Sequence, residues 1–541
     1  MPDQRRSSIQ PTFARSQSFW RASGGRWLLR GAAAGVLSLV LLPLIYLVVR
    51  ASEAGPAALQ LLVEARTMRV LARSAALALA VPLASALLAV PLAWLTTRTD
   101  LPLRKMWAVL TALPLVIPSY IFAYLLVSVL GPRGLLQQLL QPLGVERLPD
   151  IEGFPGALLA LTLLCYPYLL LTVRAALLTM DPALEEAGRS LGLTPWRTFV
   201  RITLPLLRPA LAGGGLLAAL YTLRDFGAVS VMRFGTFTRV IYIQYQAAFD
   251  RTGAAVLALM LVALTVGLQA LELNTRGRAR YHRGHAAAKR KPMMVRLGPW
   301  RWPALLFCAA VALLGVGMPA AVLLFWLVRG LALGTPMPAL WSATGNSVFV
   351  CLVAAPLALL GALPLVLLAG RQRSGSGRLL ERVAYAAFAL PGIVVGLALV
   401  FFGARYVPAI YQSVFLLQAG YLILFVPEAF SALRAALGSV NPSLMEAGRT
   451  LGRAPAQVLR SITLPLMRNG VLAALAIVFL TAMKELPATL ILAPPGMGTL
   501  ATSIWGAVTQ AYFAAAALPA VLLIGISSVP LAIFTLRETY Q

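Results

Sequence analysis

The sequence predicts an all-α polytopic membrane protein, with about twelve transmembrane helices in two pseudo-symmetric six-span halves. Three observations predict it. The chain of 541 residues is 59% hydrophobic and only 12% charged, with a mean hydropathy of +0.81, which leaves too little polar surface to cover a water-facing exterior. Its apolar residues gather in runs near the length a bilayer core requires, roughly 20 residues of helix. One polar, arginine-bearing segment occurs twice, at Glu185–Pro209 and Met445–Asn469.

The apolar runs place spans near 27–49, 70–95, 106–130, 154–178, 208–232, 252–272, 303–328, 347–369, 383–403, 414–436, 468–491 and 514–536. The basic residues orient them. With both termini inside, the inner segments collect 33 Lys and Arg and the outer segments 11, and Arg224 and Lys484 fall within spans. A bias of this sign is the positive-inside pattern. The first run is too long for a cleaved signal peptide and reads as a retained anchor. Residues 1–26 form a basic inner tail, 27–275 the first six spans, 276–301 a basic inner linker and 302–541 the second six.

The net charge of +28 does not point to nucleic acid, because the basic residues sit in short runs between apolar stretches. It favours contact with anionic membrane lipid. Cys165, Cys308 and Cys351 lie in apolar runs and read as small buried hydrophobes. His282 and His285 alone provide too few ligands for a metal site. No cofactor is implied.

The repeat aligns without a gap: Glu186 with Glu446, Gly192 with Gly452 and Pro205 with Pro465 are each 260 apart, and fifteen of twenty-nine positions from Asp181 and Asn441 onward are identical. Upstream, Ala112–Pro114 pairs with Ala389–Pro391 at 277, so the first half carries about seventeen extra residues, assigned to the loop around 131–153. Both copies start inside, so the repeat is parallel, and such repeats commonly place a pathway at their interface. Duplication without a pathway is the bland alternative.

Within the repeated segment, Asp181-Pro182 and Asn441-Pro442 read as an N-cap followed by proline at the first helical position. Glu185 and Glu186 favour the start of that helix through its dipole. Gly192 and Gly452 end it. Pro195 and Pro455 open a second helix, and Pro205 and Pro465 punctuate its end. Helix, glycine turn and helix, shown twice on the inner face, suit a two-fold symmetric partner. An interfacial helix resting on lipid is the alternative, and it leaves the glycine turn and glutamate unexplained.

Glu186-Ala187-Gly188, Gly192 and Ile202-Thr203-Leu204-Pro205, with Glu446-Ala447-Gly448, Gly452 and Ile462-Thr463-Leu464-Pro465, resemble the EAA loop of ABC importer permeases. The common pattern has alanine where Gly188 and Gly448 stand. The resemblance covers nearly the whole chain, and the fused twelve-span form resembles the iron(III) transport permeases. Leu223–Arg239 and Met483–Thr502 occupy equivalent places after the loops. The resemblance implies a bacterial inner-membrane permease, two copies of an ABC ATP-binding subunit docked on the loops, a periplasmic or extracytoplasmic substrate-binding protein, and iron(III) as cargo. Permeases for thiamine or phosphonates share the architecture. An ion-coupled secondary transporter is the reading from another class.

Two basic-acidic dyads, Arg224-Asp225 and Lys484-Glu485, match at the offset of 260. Ionisable groups in the membrane usually face the bundle interior or a water-filled cavity, so both dyads are pathway candidates, against the alternative of local ion pairs. Glu428 is a third candidate, since hard cations favour oxygen ligands; a helix N-terminus after Pro427 is the competing explanation. None of Lys105, Lys289, Lys291 and Lys484 follows a glycine, so the chain contains no phosphate-binding loop. ATP hydrolysis therefore falls to a partner. An intramembrane enzyme using Asp225 or Glu428 would lack a second converging catalytic group.

Overall fold

A computed structural model describes residues 23–53, 55–248, 250–276, 294–334, 340–369, 390–438 and 440–539. His282, His285, most of the expected linker, the start of the expected 383–403 span and nearly all of the expected N-terminal tail lie outside the described residues. Among the described residues there is no strand, only one isolated bridge between Thr99 and Val295. Among the described residues ten helices are long and apolar enough to cross a bilayer, and eleven if the bent pair Pro195–Leu206 and Arg208–Arg224 is one span. Gly392–Tyr406 is shorter, at 15 residues, and stands in the remaining place of a twelve-span order.

In chain order the spans are Ser23–Ser52, Ala65–Arg98, Ser119–Leu130, Phe154–Thr179, Arg208–Arg224 and Arg251–Arg276 in the first half. The second half has Arg301–Ala332 with a π turn at Leu313–Gly317, then Leu340–Ala369, Gly392–Tyr406, Val414–Gly438, Leu464–Met483 and Phe513–Thr539. Three expected spans are corrected. The stretch 106–130 is three pieces, Arg104–Leu110, a 3-10 turn at Leu113–Val116 and Ser119–Leu130. Pro114 and Pro118 interrupt it, because proline removes a helical N–H and pushes the preceding residue towards extended backbone. Ile117 is extended accordingly, at ψ 125°. The fifth and eleventh helices stop at Arg224 and Met483 and resume as the short helices Gly227–Val231 and Pro487–Leu492. The described part of the ninth begins only after Pro391.

The offset of 277 is also corrected. Pro118 and Pro391 each immediately precede the third span of their half, and they are 273 apart. Ser74 and Ser347, also 273 apart, make equivalent bonds: Ser74 Oγ accepts from the Phe237 N–H at 3.1 Å and Ser347 Oγ from the Leu500 N–H at 2.7 Å. The first half therefore carries thirteen extra residues, not seventeen, in the 131–153 loop, where the offset falls from 273 to 260.

Each half packs its second, fourth and fifth spans together. The first spans reach across: each packs on the last span of its own half and also on the other half. Ser23–Ser52 lies on the second half's eighth and ninth spans, with Tyr46 stacked on Phe401 at 5.7 Å. The seventh span lies on the third, where Trp326 Nε1 donates to Ser128 Oγ at 2.6 Å. These bridging contacts make one continuous core of the two halves.

Candidate functional site: two repeated loops and a polar centre

Each repeated segment folds as helix, glycine turn, helix. Pro182–Ser190 is capped by Asp181, whose carboxylate accepts from the Ala183 N–H at 3.0 Å. Pro442–Thr450 is capped by Asn441, which accepts from the Ser443 N–H at 3.1 Å. Gly192 and Gly452 follow at φ 84° and 79°, the left-handed region where a Cβ is costly. The second helices, Pro195–Thr198 and Pro455–Val458, run into π turns at Phe199–Thr203 and Leu459–Thr463. Pro205 and Pro465 do not end those helices, as expected from sequence. Each lies in the first turn of the helix after the π turn, where its missing N–H leaves a widened turn behind it.

The two loops show apolar side chains outward. Leu191 and Leu451 are 84% and 80% exposed, and Leu184, Leu444 and Trp196 are exposed beside them. Ala187, Ala447 and Glu446 are exposed and Glu186 is half-buried, while Gly188 and Gly448 face inward. A Cβ on Gly188 would meet Ile202 Cδ1 at 2.5 Å, and one on Gly448 would meet Ile462 Cδ1 at 2.6 Å. The departure from alanine at these positions thus fits the isoleucine of the same loop. Gly188→Ala should be close to neutral, because alanine favours the helix by about 1 kcal/mol while the Ile202 methyl must swing aside, and with Ile202→Val the gain should emerge. Thermal melting of the detergent-purified variants checks this.

Sequence reading passed over what anchors the first loop. Glu185 points away from the exposed face and is 8% exposed. It accepts from Thr203 Oγ1 at 2.9 Å and lies 3.6 Å from Arg98 Nε. The only signal available was the difference at this position between the copies, where Met445 replaces Glu185.

The sequence-predicted charges come together at the centre. Arg208–Arg224 rises about 24 Å, which carries Arg224 and Asp225 towards the far side of a bilayer core roughly 30 Å thick. Neither dyad is an internal ion pair among the described residues. Asp225 turns to cap Gly227–Val231, accepting from the N–H groups of Ala228 at 2.9 Å and Val229 at 3.3 Å. Glu485 caps Pro487–Leu492 through Ala488, at 3.1 Å. These caps supply the backbone partners that a helix broken inside the membrane needs. Gly392, at the start of the ninth span, leaves room for the Glu485 carboxylate, which a Cβ there would strike.

The basic partners reach elsewhere. Lys484 Nζ crosses to the first half and donates to Leu115 O at 2.9 Å. Glu428 accepts from Thr481 Oγ1 at 2.7 Å and has Arg224 and Lys484 as electrostatic neighbours. It sits mid-helix in Val414–Gly438, so a helix N-terminus does not satisfy it. Tyr168, its counterpart at 260, neighbours both Glu428 and Arg224. Arg224, Lys484, Glu485 and Glu428 keep partial exposure although they lie deep in the bundle. On the side away from the repeated loops, Phe226 packs on Trp505 of the other half at 5.1 Å and on Tyr242 at 4.9 Å.

Two fused bundles of spans, a polar centre where they meet and a pair of matching loops at one face define a polytopic membrane permease. The chain belongs to the binding-protein-dependent transport system inner membrane component family, whose model matches residues 85–274 and 362–538. It is similar to an Fe(3+)-transport system permease protein of Haemophilus influenzae, 32% identical over 92% of this chain and 95% of the relative. A ferric transport system permease protein of Actinobacillus pleuropneumoniae is 24% identical over 79% of this chain and 64% of its own length. A molybdenum transport system permease protein of Escherichia coli is 33% identical over 32% of this chain and 78% of its own length.

Proposed function

We propose that the chain is the transmembrane subunit of an ABC importer for iron(III), with one permease unit over 27–275, another over 302–541 and both termini in the cytoplasm. The paired inner loops carry this reading. Each presents Leu184 or Leu444 and Leu191 or Leu451 beside a left-handed glycine, as two equal seats for two copies of an ATP-binding subunit would require. ATP is hydrolysed there and not in this chain, which has no phosphate-binding loop. A soluble binding protein delivers cargo to the opposite face. Cargo then passes the polar centre of Arg224, Lys484, Glu485 and Glu428, with Asp225 holding the broken fifth span in shape. Iron(III) is supported by the ferric permeases to which the chain is similar over most of its length.

The test is uptake of radiolabelled iron(III) in cells lacking this protein, with and without the wild-type chain on a plasmid. Restored uptake that stops when ATP is depleted is expected. ATP-dependent uptake of molybdate, thiamine or a phosphonate without iron uptake would replace the cargo and keep the class. Uptake in proteoliposomes driven by an ion gradient without an ATPase would make the chain a secondary transporter.

A further inference from the structure

Arg98 is the last residue of the second span and is 2% exposed. Four segments meet at it. Its Nη2 donates to Leu177 O at 3.0 Å, near the end of the fourth span. Its Nε lies 3.6 Å from Glu185 Oε2 on the buried face of the first inner helix. Glu185 Oε1 accepts from Thr203 in the π turn that leads to the fifth span. The Arg98 carbonyl accepts from the Val295 N–H at 2.8 Å, at the end of the linker between the halves.

The second copy is built differently. Met445 stands in place of Glu185 and packs against the apolar core, so no carboxylate is available there. Arg371, the counterpart of Arg98 at the offset of 273, lies outside the described residues.

We propose that the buried Arg98–Glu185 pair is a positioning link that carries movement of the first inner helix into the second, fourth and fifth spans. The second loop hands on its movement through apolar packing instead, so the two loops are mechanically unequal. This rests on the reading that the loops dock an ATP-binding subunit. The physical reason is the placement of the pair. A partner touches the exposed face of Pro182–Ser190, at Leu184 and Ala187. Glu185, on the opposite face, makes the charged contact with the spans. Apolar contacts slide readily, whereas a buried carboxylate held by a guanidinium and a hydroxyl resists displacement, because separation leaves a charge unpaired.

The experiment uses the full-length tagged permease expressed in cells of its own species that lack the chromosomal copy. Glu185→Met, Arg98→Met, the double variant and Met445→Ala are compared with wild type. Iron(III) uptake, copurification of the ATP-binding subunit, its ATP hydrolysis and thermal stability are measured for each. Glu185→Met and the double variant should lose roughly tenfold in uptake, the scale of an energetic coupling between sites. Both should retain the ATPase and its hydrolysis. Met445→Ala should lose less than about twofold, below the same scale.

The double variant separates coupling from folding, because removing both members of a buried pair is often neutral for stability. It should melt like wild type and still transport poorly. Recovery of uptake in the double variant would overturn the link and leave a structural ion pair. Equal losses in Glu185→Met and Met445→Ala would overturn the inequality of the loops. A wild-type chain that copurifies no ATP-binding subunit would sink the docking reading and this inference together, and is recognised by needing no mutation.

Discussion

Replacing Gly192 and Gly452 together with valine should abolish uptake and copurification of the ATP-binding subunit, while the chain still inserts in the membrane. Both glycines hold positive φ, at 84° and 79°. An L-residue there costs roughly 1–2 kcal/mol, and a β-branched one more. Two substitutions therefore disfavour the paired turns by several kcal/mol. A Cβ at either glycine meets no atom of the protein within 4 Å, so internal packing does not oppose it. The damage falls on the turn, which sets the angle between the two short helices, and on whatever covers the open side. Leu191 and Leu451, next in sequence, are among the most exposed apolar residues of the molecule. A turn that opens moves both of them off their seats. Membrane-fraction blotting, copurification and iron(III) uptake check the three parts. A valine pair that retains both copurification and uptake would sink the docking reading. Alanine at both positions should give an intermediate loss, since it carries the backbone penalty without the branched side chain.

What was legible in the sequence is what depends on local chemistry. Asp181 and Asn441 cap as their side chains and the following prolines dictate. The glycine turns take positive φ because nothing else in the segment adopts it cheaply. The apolar runs and the repeat fixed the order of spans and the two-fold plan. The breaks were not legible. A window of apolar residues averages over Pro118 or Asp225, and what ends each helix is a bond made elsewhere. Asp225 stops the fifth span because Ala228 and Val229 offer it N–H groups, and Thr238 donates to its carbonyl at 2.6 Å. The reach of the first spans into the other half was invisible for the same reason, since it depends on contacts such as Tyr46 with Phe401 across 355 positions. The alternative of a local ion pair within each dyad also failed among the described residues. Adjacent residues on a helix point about 100° apart, so Lys484 was free to reach Leu115 while Glu485 capped the next helix.

Glu428→Gln should lower uptake by roughly tenfold, the loss expected when a charge-assisted contact worth 1.5–3 kcal/mol is weakened, and leave insertion and ATPase binding intact. The two side chains have nearly the same shape, and glutamine still accepts the 2.7 Å bond from Thr481. What is lost is charge. Arg224 and Lys484 both neighbour Glu428, and with glutamine there two cations share the centre of the bundle with less compensation. A cationic cargo must then pass a more positive layer, where repulsion is strong because little water screens it. Glu428→Asp separates charge from geometry. It keeps the carboxylate, retracts it by one methylene and should retain more uptake than the glutamine variant. Equal loss in both would show that the placement of the carboxylate matters as much as its charge. Normal uptake in Glu428→Gln would remove the residue from the pathway. An anionic cargo reverses the sign: the glutamine variant would then transport faster than wild type. The direction of this one change therefore reports the charge of what crosses, independently of the inner loops.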